Sequence, residues 1–196
     1  MRMMWIGIGA ALLLLGAGCP KPASWEIAEE AFSPENDLTR AEVARELQRA
    51  RKRADEEIAE NPEASRPYET KAQLLWIHGD FAASIETYRE ALDRSKPETE
   101  ADREALKFSL LVAYLRSGQP DLIKKGIRYV QERMQEEGPN NLYAYFMGLY
   151  NRKLYKMLGD GVYKSDANHW FLKARLDPDM VRELKREGLY DPLLEE

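Results

Sequence analysis

The sequence predicts an all-α chain built from helical hairpins, and three observations predict it. Apolar residues recur at spacings of three and four on a charged background, as one buried helix face requires. Gly, Pro and capping residues stand at the ends of those periodic runs. No run keeps the two-residue alternation of a half-buried strand, so no sheet is expected.

The helices follow in order. From Thr39 to Asn61, Val43, Leu47, Ala50, Ala54 and Ile58 form one stripe. Thr39 with Glu42 reads as a capping box, and Asn61-Pro62 as the stop. Two helices follow, about Ala64 to His78 and Phe81 to Arg94, joined at Gly79-Asp80. Gly suits the left-handed residue that ends the first, and Asp80 can cap the second. A third runs from about Thr99 to Ser117 and ends at Gly118. Pro120 then opens a fourth, which carries Ile123, Ile127, Val130 and Met134 and stops at Gly138-Pro139. A fifth spans about Asn140 to Leu158. Gly159-Asp160-Gly161 breaks the pattern, a sixth is expected from about Asp166 to Leu176, and Pro178 opens a last one bearing Val181 and Leu184.

Composition excludes several classes. Of 196 residues, 29 are Lys or Arg and 34 Asp or Glu, a net charge of −5. That balance argues against a nucleic-acid binder, which needs a basic field to meet phosphates. The basic group Arg49, Arg51, Lys52 and Arg53 is followed by Asp55, Glu56 and Glu57, so a self-neutralised helix face is expected. One Cys allows no internal disulfide, and two His, His78 and His169, leave little material for a metal site. No Gly-rich phosphate loop, His-Glu-x-x-His or nucleophile elbow is present. His78 lies at a helix end, and the acidic pairs Glu29-Glu30 and Glu136-Glu137 lie on solvated ends. We expect no catalytic set, metal or cofactor, and no enzyme.

Residues 1–18 (MRMMWIGIGAALLLLGAG) have one early positive charge, an apolar run and small residues before Cys19. That is the layout of a secretory leader, and the run is short for a spanning helix. Leu15 to Cys19 (LGAGC) resembles the lipobox of bacterial lipoproteins, with Leu one place further from the Cys than usual. The resemblance implies cleavage before Cys19, acylation of that residue, and a chain held at the membrane facing the periplasm. Pro20 after the Cys points to the outer rather than the inner membrane. Residues 19–38 are then expected to form the lipidated tether and a short N-terminal segment, with 39–196 the helical domain.

Residues Ser65 to Pro97 resemble a tetratricopeptide repeat. Tyr68 and Ala72 lie on the first helix, Gly79-Asp80-Phe81 at the turn, and Ser84-Ile85, Tyr88, Ala91-Leu92 and Pro97 follow. A weaker copy runs through Leu111, Tyr114, Gly118, Ile127 and Val130. A third is split between Ala144-Gly148 and Ala167, Phe171, Ala174 and Pro178. The resemblance implies a right-handed solenoid of about three such hairpins with terminal capping helices. Where the family's acidic-terminus binders carry Lys and Asn, this chain has Arg66, Glu69 and Gln73, so a basic clamp is not supported.

The first helices of the repeats have more apolar residues than their own packing needs, and a helix apolar on all sides must be covered on all sides. Self-coverage by neighbouring helices and coverage by a partner both remain open. Trp25, Ile27, Ala28 and Phe32 could also fold back over the groove. The expected partner contacts are Trp76, Ile77, Phe108, Val112, Leu115 and Tyr145, with Tyr163 on a Gly159–Ser165 loop. The expected role is an adaptor or scaffold for a protein or peptide of a cell-envelope complex. The alternative is a small-molecule accessory of an envelope transporter, with a cavity among Phe108, Tyr145 and Trp170.

Overall fold

The computed structural model describes residues 22–33, 38–97, 99–176, 178–186 and 188–190. Cys19, the apolar leader and residues 20–21 and 34–37 of the expected N-terminal segment lie outside the described residues. Every regular element described is an α-helix. In order they are α1 (Ala23–Phe32), α2 (Arg40–Glu60), α3 (Ser65–Ile77), α4 (Phe81–Arg94), α5 (Glu100–Arg116), α6 (Pro120–Glu137), α7 (Asn141–Leu158), α8 (Gly161–Lys173) and α9 (Pro178–Arg186). The chain divides into two compact units, Met1–Ala113 and Tyr114–Glu196, and the boundary falls inside α5.

In the first unit, helices adjacent in sequence pack together: α1 on α2, α2 on α3, and α3 on α4. The capping box of α2 is complete. Thr39 Oγ1 accepts from the Glu42 N–H, and Glu42 Oε2 accepts from the Thr39 N–H at 2.8 Å. On its outer face Arg49 pairs with Glu46, and Lys52 and Arg53 with Glu56. Its basic group is therefore balanced within the helix. Asp55 instead crosses to Lys71 on α3 at 2.7 Å.

The α3–α4 hairpin is closed by backbone chemistry. Gly79, at φ +82°, ends α3. Its N–H donates to Trp76 O, and the Asp80 N–H to Leu75 O, satisfying two carbonyls the helix would leave bare. The Asp80 carboxylate then caps α4 through the Ala83 N–H. Between the two helices Tyr68, Ala72, Ser84, Tyr88 and Ala91 are buried. Ser84 Oγ donates to Ala72 O at 2.7 Å, a contact that needs a small side chain on each helix.

The segment expected as a tether carries α1. Ala28 and Ala31 pack into one cluster with Leu47 and Ala50 of α2 and Leu74 of α3, bordered by Ile27, Val43 and Ile77. Trp25 is buried as well. The start of α1 is pinned by Glu57, whose carboxylate accepts from Ser24 N–H and, at 2.5 Å, from Ser24 Oγ. Ile27 and Ala28 thus pack onto α2 and α3. The Phe32 side chain lies outside the description.

In the second unit α6 packs on α7 and α7 on α8. Residues 143–151 of α7 are buried without interruption, so that helix is covered on all sides. Two glycines set the approach distances. A Cβ on Gly126 would meet Tyr114 at 2.8 Å, and one on Gly148 would meet the Phe171 ring at 2.4 Å. The sixth expected helix begins earlier than its apolar period indicated. Asp160 accepts from the Val162 N–H and starts α8 at Gly161, so the supposed Gly159–Ser165 loop is a two-residue turn followed by helix.

Candidate functional site

In the first unit an ion pair joins α3 to α5. Arg66 Nη2 lies 2.9 Å from Asp102 Oδ1, thirty-six residues on. Gln73 and Ser109 both lie close enough to the Tyr88 hydroxyl on α4 to oppose the rise in its pKa. Asp102 serves two helices. Its Oδ2 accepts from Thr99 N–H at the start of α5, while Oδ1 holds Arg66.

Glu69 lies inside this network, 3.6 Å from Arg66. Burial pushes its carboxyl up to about 7; Arg66 opposes the shift and Asp102 adds to it. Burial likewise raises the Tyr88 hydroxyl far above its ordinary range. Gln73 Oε1 is buried with no hydrogen-bond partner. The positions that would carry a basic clamp are therefore occupied by an internal polar cluster. A carboxyl that titrates near neutral pH could serve an acid–base reaction, but this one is only 6% exposed. Among the described residues no group of three or more metal-ligating side chains is present.

The expected contact residues divide into those at the surface and those withdrawn from it. Trp76 is half-buried, its ring set edge-on 6.0 Å from Phe81. Phe108 and Val112 of α5 are half-buried too. Ile77 is half-buried against the cluster that α1 completes, so its apolar surface is largely spent within the chain.

Leu115 and Tyr145 are not presented to a partner. Both are buried, and the Tyr145 hydroxyl donates to Leu189 O at 2.8 Å. Its ring stands 5.6 Å from Phe171. For Tyr145 the reason is its place in the continuously buried run 143–151 of α7. Tyr163 is half-buried on the first turn of α8, not on a flexible loop.

Sequence reasoning missed two features. The Glu69 cluster follows from which helix faces meet, and no single-helix periodicity shows that. The run of seven exposed residues from Lys156 to Val162 contains Met157, Leu158 and Val162. No family model matches the chain, and comparison with curated proteins and with solved structures likewise finds no match.

Proposed function

We propose that the chain is a lipid-anchored, tetratricopeptide-like adaptor, acylated at Cys19 and facing the periplasm, most simply from the outer membrane. It binds a protein or peptide of a cell-envelope complex through the α3–α5 face around Trp76, Phe108 and Val112. The observation that carries this reading is the Arg66–Asp102 ion pair, which joins α3 to α5 at an interval of 36 residues. Successive first helices of a helical-hairpin solenoid stack in that way, close to the regular repeat of about 34 residues. Stacking at that step would leave one row of side chains on a shared face, to which Trp76, Phe108 and Val112, all half-buried, would contribute.

The recognition would be of the helix-in-groove or extended-peptide kind, in which a few aromatic and aliphatic anchors supply the affinity. The polar cluster beneath the face fixes the spacing of the two helices and so preorganises it. The small-molecule alternative has less support, because Tyr145 is consumed by Phe171 and Leu189.

Two measurements test the proposal. Metabolic labelling with palmitate should mark the wild-type chain and not Cys19→Ser, which should also leave the membrane fraction. Crosslinking in the native envelope should capture the same partner in repeated wild-type preparations. A Trp76→Glu/Val112→Glu variant, folded by circular dichroism, should lose that partner. A folded variant that keeps it would place the binding face elsewhere.

A further inference from the structure

Among the described residues the exposed large apolar side chains are Leu38, Met157, Leu158, Val162 and Leu172. Three of them fall within six residues where α7 turns into α8, at 39%, 48% and 64% exposure for Met157, Leu158 and Val162. Apolar side chains scattered singly over a surface need no explanation; a group at one turn does.

The turn is a projecting tip. All seven residues from Lys156 to Val162 are exposed. Gly159, at φ +73°, ends α7, and Asp160 starts α8 one residue later. Among the described residues nothing lies within 4 Å of a Cβ built at either glycine of the turn, Gly159 or Gly161.

The charge around the tip is opposite to that of the chain. Residues 152–164 contain Arg152, Lys153, Lys156 and Lys164 against a single acid, Asp160. The Asp160 carboxylate is engaged by the Val162 N–H. The whole chain has an acidic excess of 34 to 29. Lys156 and Lys164 are exposed on either side of the apolar residues, and Lys164 Nζ stands 5.9 Å from the centre of the half-buried Tyr155 ring.

We propose that the α7–α8 tip is a membrane-contact element: Met157, Leu158 and Val162 enter the headgroup–acyl boundary of an anionic bilayer, and Lys156 and Lys164 meet its phosphates. A convex apolar tip suits a deformable planar surface better than a peptide, which needs a groove. Flanking lysines can keep their ammonium groups in the headgroup layer while their stems follow the apolar residues inward. Their sign matches anionic lipid, which draws basic segments to within a Debye length. This inference goes beyond the adaptor reading and does not depend on acylation of Cys19.

The test uses the full chain with Val162→Cys, labelled with an environment-sensitive fluorophore and reconstituted into phosphatidylglycerol-containing vesicles. Wild type labelled in parallel gives any contribution from Cys19, and Glu86→Cys on the exposed side of α4 gives a solvent reference. Position 162 should shift to the blue in anionic vesicles. The shift should shrink by at least half in pure phosphatidylcholine, and again when Lys156→Glu/Lys164→Glu is added. Circular dichroism checks that this exposed-site variant is folded.

A label at 162 that matches position 86 in anionic vesicles overturns the proposal. If the protein still co-floats with the vesicles, the anchored adaptor reading survives that result; if it does not, the anchor falls as well. A blue shift that appears only when envelope protein is added also overturns it, and makes the tip a protein interface.

Discussion

Arg66 on α3 and Asp102 on α5 form a 2.9 Å ion pair across thirty-six residues of chain, and the second carboxylate oxygen of Asp102 caps the helix it stands on. One side chain thus fixes both where α5 begins and how it lies against α3. Glu69, between them, is the titratable member of the cluster, and it sets the first prediction.

Folded, Glu69 keeps its proton up to about pH 7; unfolded, it releases it near its ordinary value of 4.5. Between those values the native state binds more protons, so its stability falls as pH rises. The penalty is absent below 4.5 and complete above 7, and it amounts to at most about 3 kcal/mol. Glu69→Gln should remove it. Urea unfolding at pH 5 and pH 8, followed by Trp fluorescence, should show the variant gaining on wild type at the higher pH. Equal differences at both pH values would show that Glu69 titrates normally.

Trp25 should be a principal fixing point of α1. It is 2% exposed, and its indole N–H is buried without a hydrogen-bond partner. Trp25→Ala should cost about 3–5 kcal/mol, as truncation of a buried aromatic does. Trp25→Phe should cost much less, because it keeps most of the ring volume and deletes the unsatisfied donor. Limited proteolysis should find the α1–α2 connection newly cleavable in Trp25→Ala alone.

Gly148→Ala tests the closeness of α7 and α8. The added methyl would fall 2.4 Å from the Phe171 ring, so overpacking outweighs the better helix propensity of Ala. A loss of about 1–3 kcal/mol is expected. Phe171→Ala alone should also destabilise, but the double variant should be less damaged than the two losses added. Additive losses in a double-mutant cycle would mean that the two residues do not meet.

Tyr145→Phe separates core from contact surface. It removes the donor to Leu189 O and leaves a buried carbonyl unpaired, at about 1–3 kcal/mol. Partner capture should be unaffected once the protein is kept below its unfolding temperature. Trp76→Glu should do the reverse, with a small change in melting temperature and loss of capture.

The sequence by itself determined the helices. Their faces, stops and caps are local: Thr39 with Glu42, Asp80 after Gly79, Asn140 before α7 and Pro120 at the start of α6 act within a turn or two of chain. The start of α8 was misread because Asp160 began a helix whose first residues, Val162 among them, stay exposed and contribute nothing to an apolar stripe. Only the tertiary structure decided which apolar residues were surplus. Tyr145 and Trp76 look alike in sequence, each an aromatic on an apolar-rich helix. Yet the first closes on Phe171 and Leu189, while the second stays half-exposed beside Phe81. Likewise α1 took up Ile77, and the meeting of α3, α4 and α5 placed Glu69 away from water. The physical reason is range: caps and periods act over a few residues, whereas burial depends on what arrives from thirty or more residues away.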